Sequence, residues 1–364
     1  MPTVGEIISK IEEVAPLSLQ ESYDNAGLQI GNAVAEAEGA LLCIDVTEDI
    51  VDEAVAKGCN LIISHHPLLF KGLKHISGRN EIERIVIKAI KNDITIYSAH
   101  TNMDNASEGV SMEIANRIGL ENRRVLDAQQ GRLLKLVVFV PVANAAKVRE
   151  AVCAAGAGKI GNYDSCSYAT EGTGTFRALK GANPYVGDLE ELHFELETRL
   201  EFILPDRNKS SVLKAMTAAH PYEEPAFDII RLECDSKYEG AGLVGEITPT
   251  PVLQFLEMLK ESFNARGIRY SGGKTSEIRT VALCGGSGAY LIPNAIASGA
   301  DIYITGDIKY HDFATFGNDI IIADIGHYES EQYTKQIFNH IICKNFPNFA
   351  TCYPDKEKNP INYL

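Results

Sequence analysis

The sequence predicts an α/β protein: a split metal-binding α/β domain with mixed sheets, interrupted by an inserted ferredoxin-like βαββαβ unit. Three observations predict it. Short apolar runs of strand composition alternate with amphipathic helical segments along the first part of the chain. Near Ala128 that rhythm gives way to a strand–helix–strand–strand–helix–strand order. From about Gly240 the first pattern resumes. The expected boundaries are 1–127 and 239–364 for the two halves of the outer domain and 128–238 for the insert.

The elements follow in order. Val4, Ile7, Ile8, Ile11 and Val14 share one helical face, and Pro16 ends that helix. Ser22 to Leu28 is a polar loop with a glycine. Ala40–Val46 has strand composition, and Thr47 can cap a helix over 48–57 that stops at Gly58. A strand over 60–64 runs into His65 and His66. A helix over 81–91 turns Ile82, Ile85, Val86 and Ile90 inward. A strand over 94–99 runs into His100, and a helix over 108–118 stops at Gly119. In the insert, strands are expected over 134–141, around Cys166 and Phe176, over 197–205 and over 228–233, with helices over 144–155 and 207–219. Beyond it come a helix over 251–263, a strand over 280–284, a glycine-rich turn and a helix through Ile296. Strands over 301–305 and 319–323 follow, then a helix from Tyr328 to about Lys344.

Composition narrows the function. The chain has 364 residues, enough for two or three domains, and 45% are hydrophobic. A net charge of −15 argues against bulk attraction to nucleic acid or anionic membranes. No basic leader with an apolar core opens the chain, and no run approaches the ~18 apolar residues of a spanning helix. A cytoplasmic protein is expected. The eight cysteines form no C-x-x-C pair and read as reduced, mostly core residues.

Three constellations sit where predicted strands end, the place ligands occupy in open α/β sheets. Ser64-His65-His66-Pro67 offers two imidazoles that diverge from neighbouring positions. His100-Thr101-Asn102-Met103-Asp104 offers a carboxylate able to bridge cations. His327 and Glu331, at i and i+4, present a nitrogen and a carboxylate from one helical face. Each has an ordinary reading alone: loop or core histidines, a capping aspartate, a surface pair. Together they suit two divalent ions of the Zn, Mn, Fe, Co or Ni kind. Two ions roughly 3.5–4 Å apart can activate water and clamp a phosphate or carbonyl. Asp307 and His311 lie at a fourth strand end and, with His100, are candidate acid–base or supporting groups.

Weaker features remain. Gly285-Gly286-Ser287-Gly288 follows a strand, like a phosphate-cradling turn, but lacks the full dinucleotide spacing and the P-loop lysine. Gly156 to Tyr163, with Lys159, can form an anion-binding loop. In the turn His220–Pro225, His220 and Glu224 can meet a ligand or a subunit. His75, His193 and His340 fit no cluster.

The stretch Ser22–Gly31, then Ser64–Pro67, His100–Asp104, Gly306-Asp307 with His311, and Gly326-His327 with Glu331 resembles the Nif-three-like dinuclear-metal proteins, the GTP cyclohydrolase type 2 homologues. Gly156–Tyr163, Gly172–Phe176 and His220–Pro225 resemble the PII/CutA-like insert of the longer bacterial members. The resemblance implies a metal set of His65, His66, Asp104, His327 and Glu331, and a toroidal homohexamer with sites facing an internal cavity. It implies a small-molecule substrate, with hydrolysis of GTP at the guanine ring or of a phosphoester as the proposed activities. Tyr23 stands where the family usually has Trp, which keeps a ring and changes packing. The expected function is a two-metal hydrolase of a nucleotide or phosphorylated metabolite. The rival is a non-catalytic metal-binding regulator whose insert reads a small ligand or partner. A dinucleotide-dependent oxidoreductase, resting on Gly285–Gly288, is the weakest reading.

Overall fold

A computed structural model describes residues 1–129, 131–234 and 239–364. The chain divides into two compact units, Met1–Ala128 with Lys237–Leu364, and Gln129–Ser236.

The first unit opens on α1 (Val4–Val14), whose Thr3 and Glu6 form a capping box and whose Val4, Ile7, Ile8 and Ile11 are buried. Strand β1 (Gly27–Ile30) follows, its first two residues in the segment 22–28 expected to be loop. Then come β2 (Ala40–Cys43), α2 (Glu48–Ala56), β3 (Leu61–Ser64), α3 (Glu81–Lys91), β4 (Thr95–Ser98), the single turn α4 (Thr101–Asp104), α5 (Val110–Arg117) and β5 (Glu121–Ala128). Thr47 accepts from the Ile50 amide and Asn80 from the Glu83 amide, which starts α2 and α3.

The second unit is built from β6 (Leu133–Pro141), α6 (Ala145–Ala154), β7 (Tyr168–Arg177), β8 (Leu192–Pro205), α7 (Lys209–Ala219) and β9 (Phe227–Arg231). Its sheet order is β7-β8-β6-β9, all antiparallel. Leu136, Val138, Leu200 and Phe202 pack beneath Val148 and Val152 of α6 and Val212 and Met216 of α7. Strand β8 is longer than the run expected from Glu197, and β7 is one ten-residue strand instead of short pieces. Their distal halves pair with each other beyond the apolar run, so composition does not mark them.

The chain returns to the first unit with β10 (Gly240–Pro251), α8 (Val252–Ser262), β11 (Arg269–Tyr270), β12 (Glu277–Ser287), α9 (Ile292–Ala297), β13 (Ile302–Gly306), α10 (Tyr310–Phe316), β14 (Ile321–Asp324), α11 (His327–Glu331), α12 (Thr334–Asn345) and β15 (Thr351–Cys352). The expected helix from Tyr328 is thus two helices.

This unit holds two mixed sheets, ordered β1-β4-β3-β2-β15 and β11-β14-β13-β12-β10-β5. At the heart of each, three strands run parallel: β2, β3, β4 in one and β12, β13, β14 in the other. Both faces of these strands are covered, which is why their sequences are continuous apolar runs. Leu42, Ile63 and Tyr97 of one sheet and Leu283, Ile304 and Ala323 of the other belong to one core with α1, α5, α8 and α12. On the remaining faces Leu41, Ile62 and Ile96 pack on α2 and α3, while Ala282, Tyr303 and Ile322 pack on α9. Each fully buried Leu or Ile stabilises by about 1.5–3 kcal/mol. Among the described residues, no helix is long and apolar enough to cross a membrane.

Candidate metal centre

The centre gathers side chains that leave the carboxyl ends of β3, β4 and β14. Past Ser64, where β3 ends, the backbone stays tied to the end of β2: the His65 and His66 amides donate to the Cys43 and Ile44 carbonyls at 3.1 and 2.9 Å. Both imidazoles therefore start from a rigid edge. His100 follows β4, and the one-turn α4 brings Asp104 back over it, with the Asp104 amide donating to the His100 carbonyl at 3.0 Å. Gly326, at φ +96°, makes the turn out of β14 that starts α11. His327 and Glu331 then meet on one face of that helix, with Nε2 to Oε2 at 3.0 Å.

The five expected ligands converge. His65 Nε2 lies 3.6 Å from Asp104 Oδ1 and 3.4 Å from Glu331 Oε1. His66 Nε2 lies 3.0 Å from Glu331 Oε2 and 3.2 Å from His327 Nε2. Among the described residues, potential ligand atoms come together in three overlapping groups: His65 with His66 and His100, His66 with His327 and Glu331, and His65 with Asp104 and Glu331. His100, expected to move protons, thus also stands among the metal-ligating groups.

Four imidazoles share one arrangement. His65 Nδ1 bonds the Ala99 carbonyl at 2.9 Å, His66 Nδ1 bonds Asp45 at 2.8 Å, His100 Nδ1 bonds Asp24 at 2.8 Å, and His327 Nδ1 bonds Asp307 at 2.7 Å. An acceptor at Nδ1 fixes the tautomer and leaves the Nε2 lone pair as the ligand. Asp24 is itself held by the Thr101 amide at 3.0 Å and by the Thr101 hydroxyl. Asp307 is at φ +57°, a backbone conformation Asp tolerates better than most residues. Sequence reading named Asp307 and missed Asp24 and Asp45. The available signal for Asp45 was a carboxylate interrupting the apolar run Ala40–Val46, just before the histidine pair's level in the sheet.

The donor set fits a cation. His65 Nε2 and Asp104 Oδ1 are buried, 3.6 Å apart, and have no hydrogen-bond partner among the described residues. With Nδ1 donating to a carbonyl, His65 Nε2 can only accept, so two electron-pair donors face each other. Buried polar atoms left in this way are costly, and a positive ion is what satisfies both. Electrostatics agree at His65 and Glu331. Burial holds His65 below the usual imidazole range, toward its neutral form. Burial and the neighbouring Glu331 push Asp104 well above the carboxylate range. Burial also acts to raise Glu331, but His65, His327 and His66 outweigh it and hold Glu331 well below its ordinary value. For His66, burial is outweighed by bonds to Asp45 and Glu331, which raise it to about 10.

His311 is not drawn in. It is exposed on α10, and its ring meets Tyr310; no hydrogen bond or ring contact joins it to the cluster. His75 and His340 also lie outside the metal-ligating groups, and His193 pairs with Glu195 in the second unit. The phosphate-cradle reading of Gly285–Gly288 is corrected. The Gly286 amide donates to Ser330 Oγ at 2.9 Å and the Gly288 amide to Thr305 Oγ1 at 3.0 Å, so neither is free for an anion. Gly286 instead makes room for Glu331: a Cβ there would come within 2.1 Å of Oε1. The dinucleotide reading loses its footing with it. In the Gly156–Tyr163 loop, the amides of Gly156, Ala157, Gly158, Ile160 and Tyr163 all donate to backbone carbonyls and are not offered to an anion. Both His220 nitrogens are engaged by backbone, Nε2 with the Phe139 carbonyl and Nδ1 with the Tyr222 amide, so His220 holds its turn in place.

The profile of the Duf34/NIF3 (NGG1p interacting factor 3) family matches residues 2–360. A Halalkalibacterium halodurans protein named GTP cyclohydrolase 1 type 2 homolog is 39% identical over 324 residues, covering 88% of this chain and 87% of its own. The crystal structure of a Bacillus cereus protein related to NIF3 superposes with a TM-score of 0.88 at 38% identity, covering 100% of this chain and 99% of that one. A Staphylococcus aureus protein superposes with a TM-score of 0.78 at 28% identity over the same shares.

Proposed function

The chain belongs to the Duf34/NIF3 family, and from that premise we propose a dinuclear metal-dependent hydrolase acting on a nucleotide-type or other phosphorylated small molecule. His65, His66, Asp104, His327 and Glu331 would hold two divalent ions of the Zn, Mn, Fe, Co or Ni kind. The observation that carries this reading is the unpartnered buried pair, His65 Nε2 and Asp104 Oδ1, facing Glu331. When bound, such ions supply Lewis-acid polarisation of water and of a phosphoryl or carbonyl oxygen. The chain's own groups do the rest. Asp45 and Asp307 orient His66 and His327. Asp24 accepts at His100 Nδ1, which leaves Nε2 to hold or move a proton beside the ligands. His311, exposed and outside that network, is a weaker candidate for proton transfer than His100.

The name GTP cyclohydrolase 1 type 2 homolog carried by the relatives favours GTP as the first substrate to assay. The test is protein loaded with each metal in turn, assayed against GTP and a panel of phosphoesters. Turnover that disappears in both His65→Ala and Glu331→Ala supports the reading; equal turnover in the variants, or none at any loading, overturns it.

We read the inserted unit as ferredoxin-like and of the PII/CutA kind, on its βαββαβ order and its antiparallel sheet. We place the protein in the cytoplasm as a toroidal homohexamer, which sedimentation analysis checks directly. The rival reading, a metal-binding regulator whose insert takes a small ligand, is favoured by one observation: the second unit holds a cavity of its own.

A further inference from the structure

That cavity has a volume of about 380 Å³ and is formed entirely by the second unit. The size falls in the lower range of small-molecule pockets. It lies on the sheet face opposite α6 and α7. Register shows this: Leu136, Val138, Leu200 and Phe202 point to the helices, while the alternate positions Phe139 and Glu197 point away. The turn after α7 and the loop between β7 and β8 complete its walls.

Four aromatic rings line it: Phe139, Phe176, Tyr185 and Tyr222. Tyr222 is the centre of this group. Its ring lies 6.1 Å from Phe176 and 6.2 Å from Tyr185, inclined at 59° and 53°. Inclined rings of this kind present more than one π-face to a shared space. Glu197 closes one side. Its Oε1 accepts from the Tyr222 hydroxyl at 2.9 Å. Its Oε2 lies over Gly174, where a Cβ would come within 2.1 Å, so the glycine's missing side chain is what lets the carboxylate cross to the neighbouring strand. Glu223 and Glu224 line the rim, and Glu223 accepts from the Asn183 amide at 3.0 Å, which ties the β7–β8 loop to the turn.

Among the described residues, no Lys, Arg or His lines the cavity. The Arg199 guanidinium, 6.0 Å from the Phe139 ring centroid, is paired with Glu201 at 3.0 Å. The three lining carboxylates repel anions such as phosphate or a nucleotide. Among the described residues, the side-chain groups close enough together to hold a bare metal ion all lie in the first unit, none at this cavity. Aromatic faces with nearby carboxylates select a cation that carries its own apolar coat. Burial, Glu197 and Glu195 together raise the Tyr222 phenol, in keeping with a negative potential at the cavity.

We infer that the cavity lined by Phe176, Tyr185, Tyr222 and Glu197 binds a small organic cation, a quaternary ammonium or alkylated amine. The inference rests on the regulatory reading only for its ligand site and stands apart from the hydrolase reading. The test uses the full chain with choline and its neutral carbon isostere, 3,3-dimethylbutan-1-ol, followed by titration calorimetry and saturation-transfer NMR. Choline should bind at least about tenfold tighter than the isostere, because the shape is shared and the charge is not. Glu197→Gln should weaken choline about tenfold and leave the isostere unchanged. Tyr185→Ala, at a half-exposed wall residue with no hydrogen bond at stake, should weaken choline while preserving the far-ultraviolet spectrum. Absence of choline binding, equal binding of the two probes, or unchanged binding in both variants overturns the inference. Binding that leaves metal-dependent turnover unaltered upholds it and counts against regulation.

Discussion

Gly286 and Glu331 are fitted to each other: a Cβ on Gly286 would come within 2.1 Å of Glu331 Oε1, and Gly286 holds φ at +61°. The carboxylate that faces His65, His66 and His327 reaches that place only across a residue without a side chain. Gly286→Ala should therefore displace Glu331 and also strain the backbone by about 1–2 kcal/mol. Expected is a loss of bound metal that exceeds the loss of stability, measured by elemental analysis beside thermal melting. Full metal content in the variant would refute this.

The aspartates behind the histidines should matter almost as much as the ligands. Asp45→Ala and Asp307→Ala remove the acceptors that orient His66 and His327. Each should lower metal affinity about 10–100-fold with little change in fold. Competition with a chromogenic chelator reads this, and an affinity equal to wild type would show the pairs to be incidental.

Metal should stabilise the first unit. Binding only to the folded state adds about 2.7 kcal/mol when free metal stands 100-fold above Kd. Chelation should lower the melting temperature of the wild type and leave His65→Ala unmoved. A shift of equal size in the variant would place the stabilising metal elsewhere.

Acid should loosen the start of α3. Glu83 accepts from the Ser77 hydroxyl at 2.7 Å and from the Ser77 and Arg79 amides at 2.8 and 3.0 Å, and these bonds lower it to about 2. A carboxylate lowered on folding stabilises above its ordinary value, and that contribution is lost as pH falls from about 4.5 toward about 2. Glu83→Gln should melt lower than wild type at neutral pH and lose part of the acid sensitivity. An unchanged difference between the two proteins across that window would contradict it.

His220 makes a second pH prediction in the other unit. Burial lowers its pKa, and its Nδ1 accepts from the Tyr222 amide, so the folded state prefers the neutral ring. A base lowered on folding costs stability as pH falls below about 6.5, where the unfolded ring takes up a proton first. NMR titration should find His220 protonating below that value; a normal titration would disprove the assignment.

How much was legible follows from what each segment must bury. The strands β3, β4, β13 and β14 are covered on both faces, so each is a continuous apolar run that composition reveals. Strands β1 and β5 are sheet edges with one row of backbone partners, and polar residues such as Asn122 and Arg124 suffice there. Strand β10 hides behind glycines that read as turns. Gly242 and Gly245 serve close approach, since a Cβ would come within 2.6 Å of the Leu283 carbonyl and 2.4 Å of the Glu121 carbonyl. The two sheets' shared core is a long-range property that no local pattern carries.

The site divides along the same line. The sequence by itself placed His65, His66, His100, Asp104, His327 and Glu331 at strand ends, because ligand type, i,i+4 spacing and strand composition are local. Only the tertiary structure decided which side chains meet. It brought Asp24 and Asp45 behind their histidines, set Gly286 beneath Glu331, left His311 at the surface and engaged the glycine-loop amides internally. The physical reason is that a residue's role at such a site depends on which hydrogen-bond partners and charges lie within a few ångströms, and those come from distant parts of the chain.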